Sequence, residues 1–134
     1  MIAFFRCSLP CLSLFLSFGC GTRDATPPVP EVRDERLEQR WFQAVGIQDA
    51  EKRDEAMAQI AVEAAEAKDL RITSSALASW KNVARRDETA RSCALKFAAF
   101  GKRDEARLIA DMRIDNLDLR AKTLAEIEKS KTEK

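Results

Sequence analysis

Apolar positions after residue 33 recur with the period of a helix, not that of a strand. Leu37, Trp41, Ala44 and Val45 fall at i, i+4, i+7 and i+8. Met57, Ile60, Ala61 and Ala64 make a second stripe, and Ile72, Ala76, Trp80 and Val83 lie along one face of a third. Cys93, Phe97 and Phe100 form a fourth, Ala106, Ile109 and Met112 a fifth. Leu117, Ala121, Leu124 and Ile127 or Glu128 make the last. The pattern predicts about six short amphipathic helices. Breaks are expected near Gly46 to Lys52, Asp69, Arg85 to Asp87, Gly101 to Arg103, and Asp115 to Asn116. Connections that short make neighbouring helices antiparallel. Ala, Glu, Lys, Arg and Leu dominate this stretch and Tyr is absent. Such residues lose little rotamer freedom in a helix, so the expected class is all-α.

One tripeptide recurs. Arg-Asp-Glu stands at Arg33-Asp34-Glu35, Arg53-Asp54-Glu55, Arg86-Asp87-Glu88 and Arg103-Asp104-Glu105. Asp caps a helix well, because its carboxylate accepts an orphan backbone N–H. A following Glu sits favourably against the helix dipole. The four copies therefore read as four helix starts. Many stripe positions are only Ala, which leaves Trp41, Phe42, Trp80, Phe97 and Phe100 to fill much of the core.

The segment from Phe97 to Ala106, FAAFGKRDEA, resembles the turn and second-helix start of a tetratricopeptide-type repeat. Glu51 to Ala56 is a weaker version. Arg53 and Arg86 lie 33 positions apart, close to the roughly 34-residue period of that family. The Trp, Gly and Tyr pattern of the family's first helix is missing. The resemblance covers at most residues 33–128 and implies a helical-repeat array. An irregular helical bundle is the alternative.

The first twenty residues, MIAFFRCSLPCLSLFLSFGC, differ in kind. Arg6 is their single charge, and the run from Cys7 to Phe18 is apolar or small. A membrane-spanning helix needs roughly 20 apolar residues, and this run is shorter. A charged start, a short apolar centre and a small-residue cut site make a secretory signal peptide over residues 1–19. Leu16-Ser17-Phe18-Gly19-Cys20-Gly21 resembles the lipobox of bacterial lipoproteins. The resemblance implies cleavage between Gly19 and Cys20 and lipidation of Cys20 with acyl chains such as palmitate. Ser17 stands where the family prefers Leu, and Phe18 is bulkier than usual, so cleavage without lipid is the alternative. Two or more acyl chains give stable anchoring where one does not. Gly21 is not the acidic residue that retains some lipoproteins on an inner membrane. That resemblance favours an outer membrane or an outward-facing surface.

Residues 20–32 follow as a linker holding three of the four prolines. Pro fixes φ and removes a donor, so about a dozen such residues reach on the order of 35 Å, at about 3.1 Å each. Residues 129–134 read as a polar tail. Lys134 resembles the last residue of the murein lipoprotein, but the body lacks that family's heptads.

Chemistry is scarce. The chain has no His, which removes the commonest general base and the commonest metal ligand. Cys93 is the single cysteine of the body, at a core-facing position, and reads as a small buried hydrophobe. No Gly-rich phosphate loop occurs. The chain is expected to be no enzyme and to take no cofactor or metal. Without residues 1–19 its basic and acidic residues balance, which argues against nucleic acid. Lys81, Arg85, Arg86 and Arg91 form its densest basic patch. The expected function is a membrane-tethered, non-catalytic protein-interaction module of the bacterial cell envelope, whose partner is another envelope protein. The alternative is a structural envelope lipoprotein that self-associates or attaches to the cell wall.

Overall fold

The computed structural model describes residues 34–130. The expected signal peptide, linker, Gly19, Cys20 and Lys134 lie outside them. The described chain is all-helical. Its six helices are α1 (Glu35–Val45), α2 (Ala50–Glu66), α3 (Leu70–Ala78), α4 (Val83–Ala99), α5 (Arg103–Arg113) and α6 (Leu117–Lys129). The connections between them are three or four residues long. Each helix touches only helices one or two places away in chain order. The longer helices α2, α4 and α6 thus form one layer, and α1, α3 and α5 the other.

Two of the four Arg-Asp-Glu copies do start helices. Asp34 caps α1, accepting from Arg36 and Leu37 N–H, and Arg103 opens α5. The other two do not. Helix α2 is capped by Asp49 and α4 by Asn82, so Asp54 and Asp87 each lie one turn inside. The expected break at Arg85 to Asp87 falls instead at Ser79 to Asn82. Val83 therefore opens α4 and is exposed, rather than extending the face of α3.

Asp54 and Asp87 are buried and share one task. Asp54 accepts the backbone N–H groups of Lys81 and Asn82, at 3.3 and 3.1 Å. Asp87 accepts those of Asp115 and Asn116, at 2.9 and 2.8 Å. Each carboxylate ties the loop that precedes the next long helix. The caps Asp49, Asn82 and Asn116 stand 33 and 34 positions apart, matching the 33 between Asp54 and Asp87. The opposite ends match as well. Asp69 N–H bonds Ala64 C=O at 2.9 Å, and Lys102 N–H bonds Phe97 C=O at 2.9 Å. These bonds close left-handed turns at Lys68 (φ 62°) and Gly101 (φ 77°). Glycine suits that conformation, while a lysine there costs about 1 kcal/mol. The Lys68 ammonium lies 4.8 Å over the Phe100 ring, which links the two turns.

Alanine supplies nearly half of the buried apolar residues. Ala61, Ala64, Ala65, Ala76, Ala90, Ala94, Ala106 and Ala110 are fully buried. Small side chains let helices approach closely and bury less apolar area each. Phe97, Met57, Ile60, Ile72, Leu77, Ile109, Ile114 and Ile127 supply the bulk. The aromatic expectation is only partly met. Phe97 and Trp80 are buried and Trp41 is half-buried, but Phe42 is 62% exposed and Phe100 46%. Phe100 ends α4 as its C-cap, and the exposed Phe42 ring meets Trp41 edge-on at 4.9 Å. Val45, Met112 and Leu117, which the stripes placed inward, are exposed too.

Asp54→Ala or Asp87→Ala should each cost about 2–3 kcal/mol, because two backbone donors lose a charged acceptor in a buried site. Asp104→Ala, in the same tripeptide but on the surface, should stay within about 1 kcal/mol. Urea midpoints at constant m-value test the contrast. Equal costs at all three positions would show that the two buried acids are not anchors.

Candidate interaction surface

A shallow groove runs between the first two helices. Its walls are Arg40, Gln43, Ala44 and Ile47 on one side and Ala56, Gln59 and Ile60 on the other. It measures about 300 Å³. Gln59 also belongs to a neighbouring apolar hollow on α2 lined by Ala58, Val62 and Glu63. Arg40 joins the two areas through a bidentate pair with Glu63. Hydrogen bonds from Arg40 hold the Glu63 carboxyl below its ordinary range, against a smaller opposing effect of burial. The same bonds raise the Arg40 guanidinium. Both side chains remain more than a third exposed, so their pair is worth no more than about 1 kcal/mol. The surface is amphipathic and open, with no buried acid–base pair in it. It offers side-chain-sized hollows to an apposed surface rather than an enclosed chamber for a small molecule.

The position of this groove follows from the packing. Within the chain, Cys93 and Lys96 of α4 face α2: Cys93 Sγ donates to Ala61 C=O at 3.5 Å, and Lys96 pairs with Glu66 at 2.7 Å. The α2 residues 33 positions earlier are Ile60 and Glu63, both on the groove side. Ile60 is almost fully buried and Glu63 is taken by Arg40 of α1, so α1 covers part of that face of α2 and the groove is what stays open. Ile47 is held near the groove, its carbonyl accepting from Arg53 at 3.4 Å. Arg120 makes the corresponding bond to Ile114 C=O at 2.9 Å.

Other expected residues fall into place. Cys93 is fully buried, and burial pushes its thiol up to about 12. It is the small core residue that its position implied. The basic patch does not survive folding as a patch. Arg86 turns inward to Asp87 at 2.9 Å and Asp115 at 2.6 Å, and Arg91 pairs with Glu126 at 2.9 Å. Lys81 and Arg85 stay exposed beside Asp54 and Asn82. Among the described residues no group of three or more Cys, Asp or Glu is placed to hold a metal ion. None of the described helices is long and apolar enough to cross a membrane. The groove residues Arg40, Gln43 and Gln59 went unmarked by the hydrophobic stripes, since their polarity made them look like ordinary solvent positions. For Arg40 and Gln43 the one signal was the spacing of 33 from Thr73 and Ala76, which pack inside; Gln59 had none, since Ser92 is exposed.

Compared with models of protein families, with curated proteins and with solved structures, the chain finds no match.

At pH 8, thiol reagents should label Cys93 only as fast as the chain unfolds, followed by peptide mass mapping. The folded thiol sits near 12 against an ordinary 9.0, so folding favours its neutral form. The associated stability is present below pH 9 and is lost as pH rises toward 12. Urea midpoints of the native chain should therefore fall more steeply from pH 8 to pH 10 than those of Cys93→Ala. Parallel slopes would mean the thiol is not held neutral by the fold.

Proposed function

We propose that this chain is a non-catalytic protein-interaction module of the bacterial cell envelope, tethered to a membrane through Cys20. Its body is a degenerate two-helix repeat of tetratricopeptide type. The observation that carries this reading is the contact pattern: every helix touches only its neighbours one or two places along. Solenoids are quasi-one-dimensional in that sense, and they work by offering extended faces to other macromolecules. The 33-residue recurrence of Asp54 and Asp87, of the caps Asp49 and Asn82, and of the turns at Lys68 and Gly101 supports the same reading. The lipobox-like residues Leu16 to Gly21 support the tether. The linker of residues 20–32 would hold the body clear of the lipid headgroups. An outer or outward-facing membrane follows from the resemblance at Cys20–Gly21. The partner is another envelope protein, seated on the groove between α1 and α2.

Intact-mass measurement of the membrane fraction tests the tether. The mature chain should begin at Cys20 with added acyl mass, and Cys20→Ala should remain unprocessed. A mature chain without lipid overturns the tether and leaves the module. A photoreactive residue at position 59 tests the module. It should give one discrete adduct with a different envelope protein, reduced by Gln43→Glu. Its absence in intact cells overturns the interaction reading.

A further inference from the structure

Each long helix inside the chain has a fixed seat. Helix α2 lies on α3 and α4, and α4 lies on α5 and α6. In both seats an acid of the seated helix takes two N–H groups of the loop beside it. Asp54 takes those of Lys81 and Asn82, and Asp87 those of Asp115 and Asn116. Helices α1 and α2 form a third seat of the same order, open along the groove between them. Gln48 and Asp49 stand 33 positions before Lys81 and Asn82. Both are exposed, and their N–H groups have no acceptor among the described residues. Gln43 is exposed where Ala76, 33 positions on, is fully buried. Ile47 is half-buried where Trp80 is 8% exposed. Arg53 brings its guanidinium to this loop, on Ile47 C=O at 3.4 Å, and its Nε is buried without an acceptor. The loop thus offers two free amide donors, with a cation beside it that offsets the Asp49 carboxylate.

Resting on the interaction reading above, we propose that this seat takes an amphipathic helix of the partner protein. One acid of that helix, Asp or Glu, binds the N–H groups of Gln48 and Asp49, as Asp54 and Asp87 bind theirs. The chain itself does not supply the helix. Gly21 stands 33 positions before Asp54, and Pro27, Pro28 and Pro30 fall where its last turns would be. A second copy does not supply the acid. Its α6 has Ala121 at the anchor position, and its Asp54 and Asp87 are already bonded. Glu63 stands where Lys96 pairs with the seated α2, but Arg40 takes it, so the open seat asks for no ion pair there. With Arg40, Gln43 and Gln59 in it, the seat is more polar than the internal ones. That suits a helix that comes and goes, since permanent interfaces are the more hydrophobic ones.

The probe is a displayed library of helical peptides built on residues 49–67. It is varied at position 54 and at the positions facing α3 and α4, and selected on the full chain in detergent. Binders should return Asp or Glu at position 54, and exchanging that acid for its amide should weaken them at least about tenfold. Gln48→Glu in the chain is a surface change beside the N–H pair and should leave the melting transition unchanged. It should weaken the acidic peptide and not the amide version. A photoreactive residue at position 43 should bond the peptide. Binders with no preference at position 54, an equal effect of Gln48→Glu on both peptides, or no bond at position 43 overturns the proposal. So does faster labelling of Gln43→Cys when residues 22–32 are deleted, which would put the chain's own linker in the seat. A dimer in sedimentation that Gln43→Glu abolishes would put a second copy there, with the same consequence. The interaction reading fails separately, through the absence of an adduct at position 59 in intact cells.

Discussion

The fold depends on two carboxylates that bind backbone rather than cations. Asp54 and Asp87 sit inside the long helices and take the paired N–H groups of the loops before Asn82 and Asn116. Those loops open the next long helices, whose first N–H groups have no partner within the helix. An alanine-rich core supplies close approach but few bulky side chains to interlock, so it fixes helix register weakly. The two acids fix it by hydrogen bonding. Asp87 is further held by Arg86, which reaches Asp115 on the far side of the same loop. The guanidinium thereby neutralises a buried charge, and both its carboxylate partners raise its pKa against the lowering by burial.

Much of the helical content was legible from apolar spacing, because a period of 3.6 survives even when half the stripe is alanine. Helix boundaries were less legible where one tripeptide serves two purposes. At Asp34 the carboxylate bonds its own helix start, whereas at Asp54 and Asp87 it bonds a loop nearly thirty residues on. Local sequence cannot distinguish an Asp that caps from one that reaches across, since both precede an amphipathic run. The true caps, Asp49 and Asn82, stand five residues before the anchors and belong to no repeated word. The spacing of 33 between Arg53 and Arg86 did hold meaning, as both precede an anchor. The copy at Arg103 differs, for Arg103 opens α5 with no side-chain cap at all. The groove and the exposed pair Leu108 and Met112 were illegible for a simpler reason. Amphipathic spacing marks which residues prefer burial, not which helix faces find a neighbour.

Under the repeat reading, the two ends depart from the middle in physically sensible ways. Where α3 buries Thr73 and Ala76, and α5 buries Ala106 and Ile109, α1 carries Arg40 and Gln43. A polar outer helix is what keeps an end of a solenoid soluble. At the other end, α6 has Ala121 at the position corresponding to Asp87, counting from the caps Asn116 and Asn82. No described loop lies there to receive a carboxylate, and an unpartnered acid would gain nothing. Anchors therefore appear where a described loop needs them.

The distribution of charge bears on how the proposed module would be read by a partner. Arg71–Glu38, Lys96–Glu66, Arg91–Glu126 and Arg40–Glu63 each bridge two helices, and all lie at or near the surface. Such pairs contribute little stability, yet they neutralise the charges that would otherwise give this surface a strong field. Long-range steering of a charged ligand is thereby weakened. What remains to distinguish one face from another is relief, such as the hollows at Gln59 and Val62 on α2. Relief is read only at contact, by a surface that fits it. Under the interaction reading such a chain would recognise by docking, and the register set by Asp54 and Asp87 is what keeps the groove in shape for it.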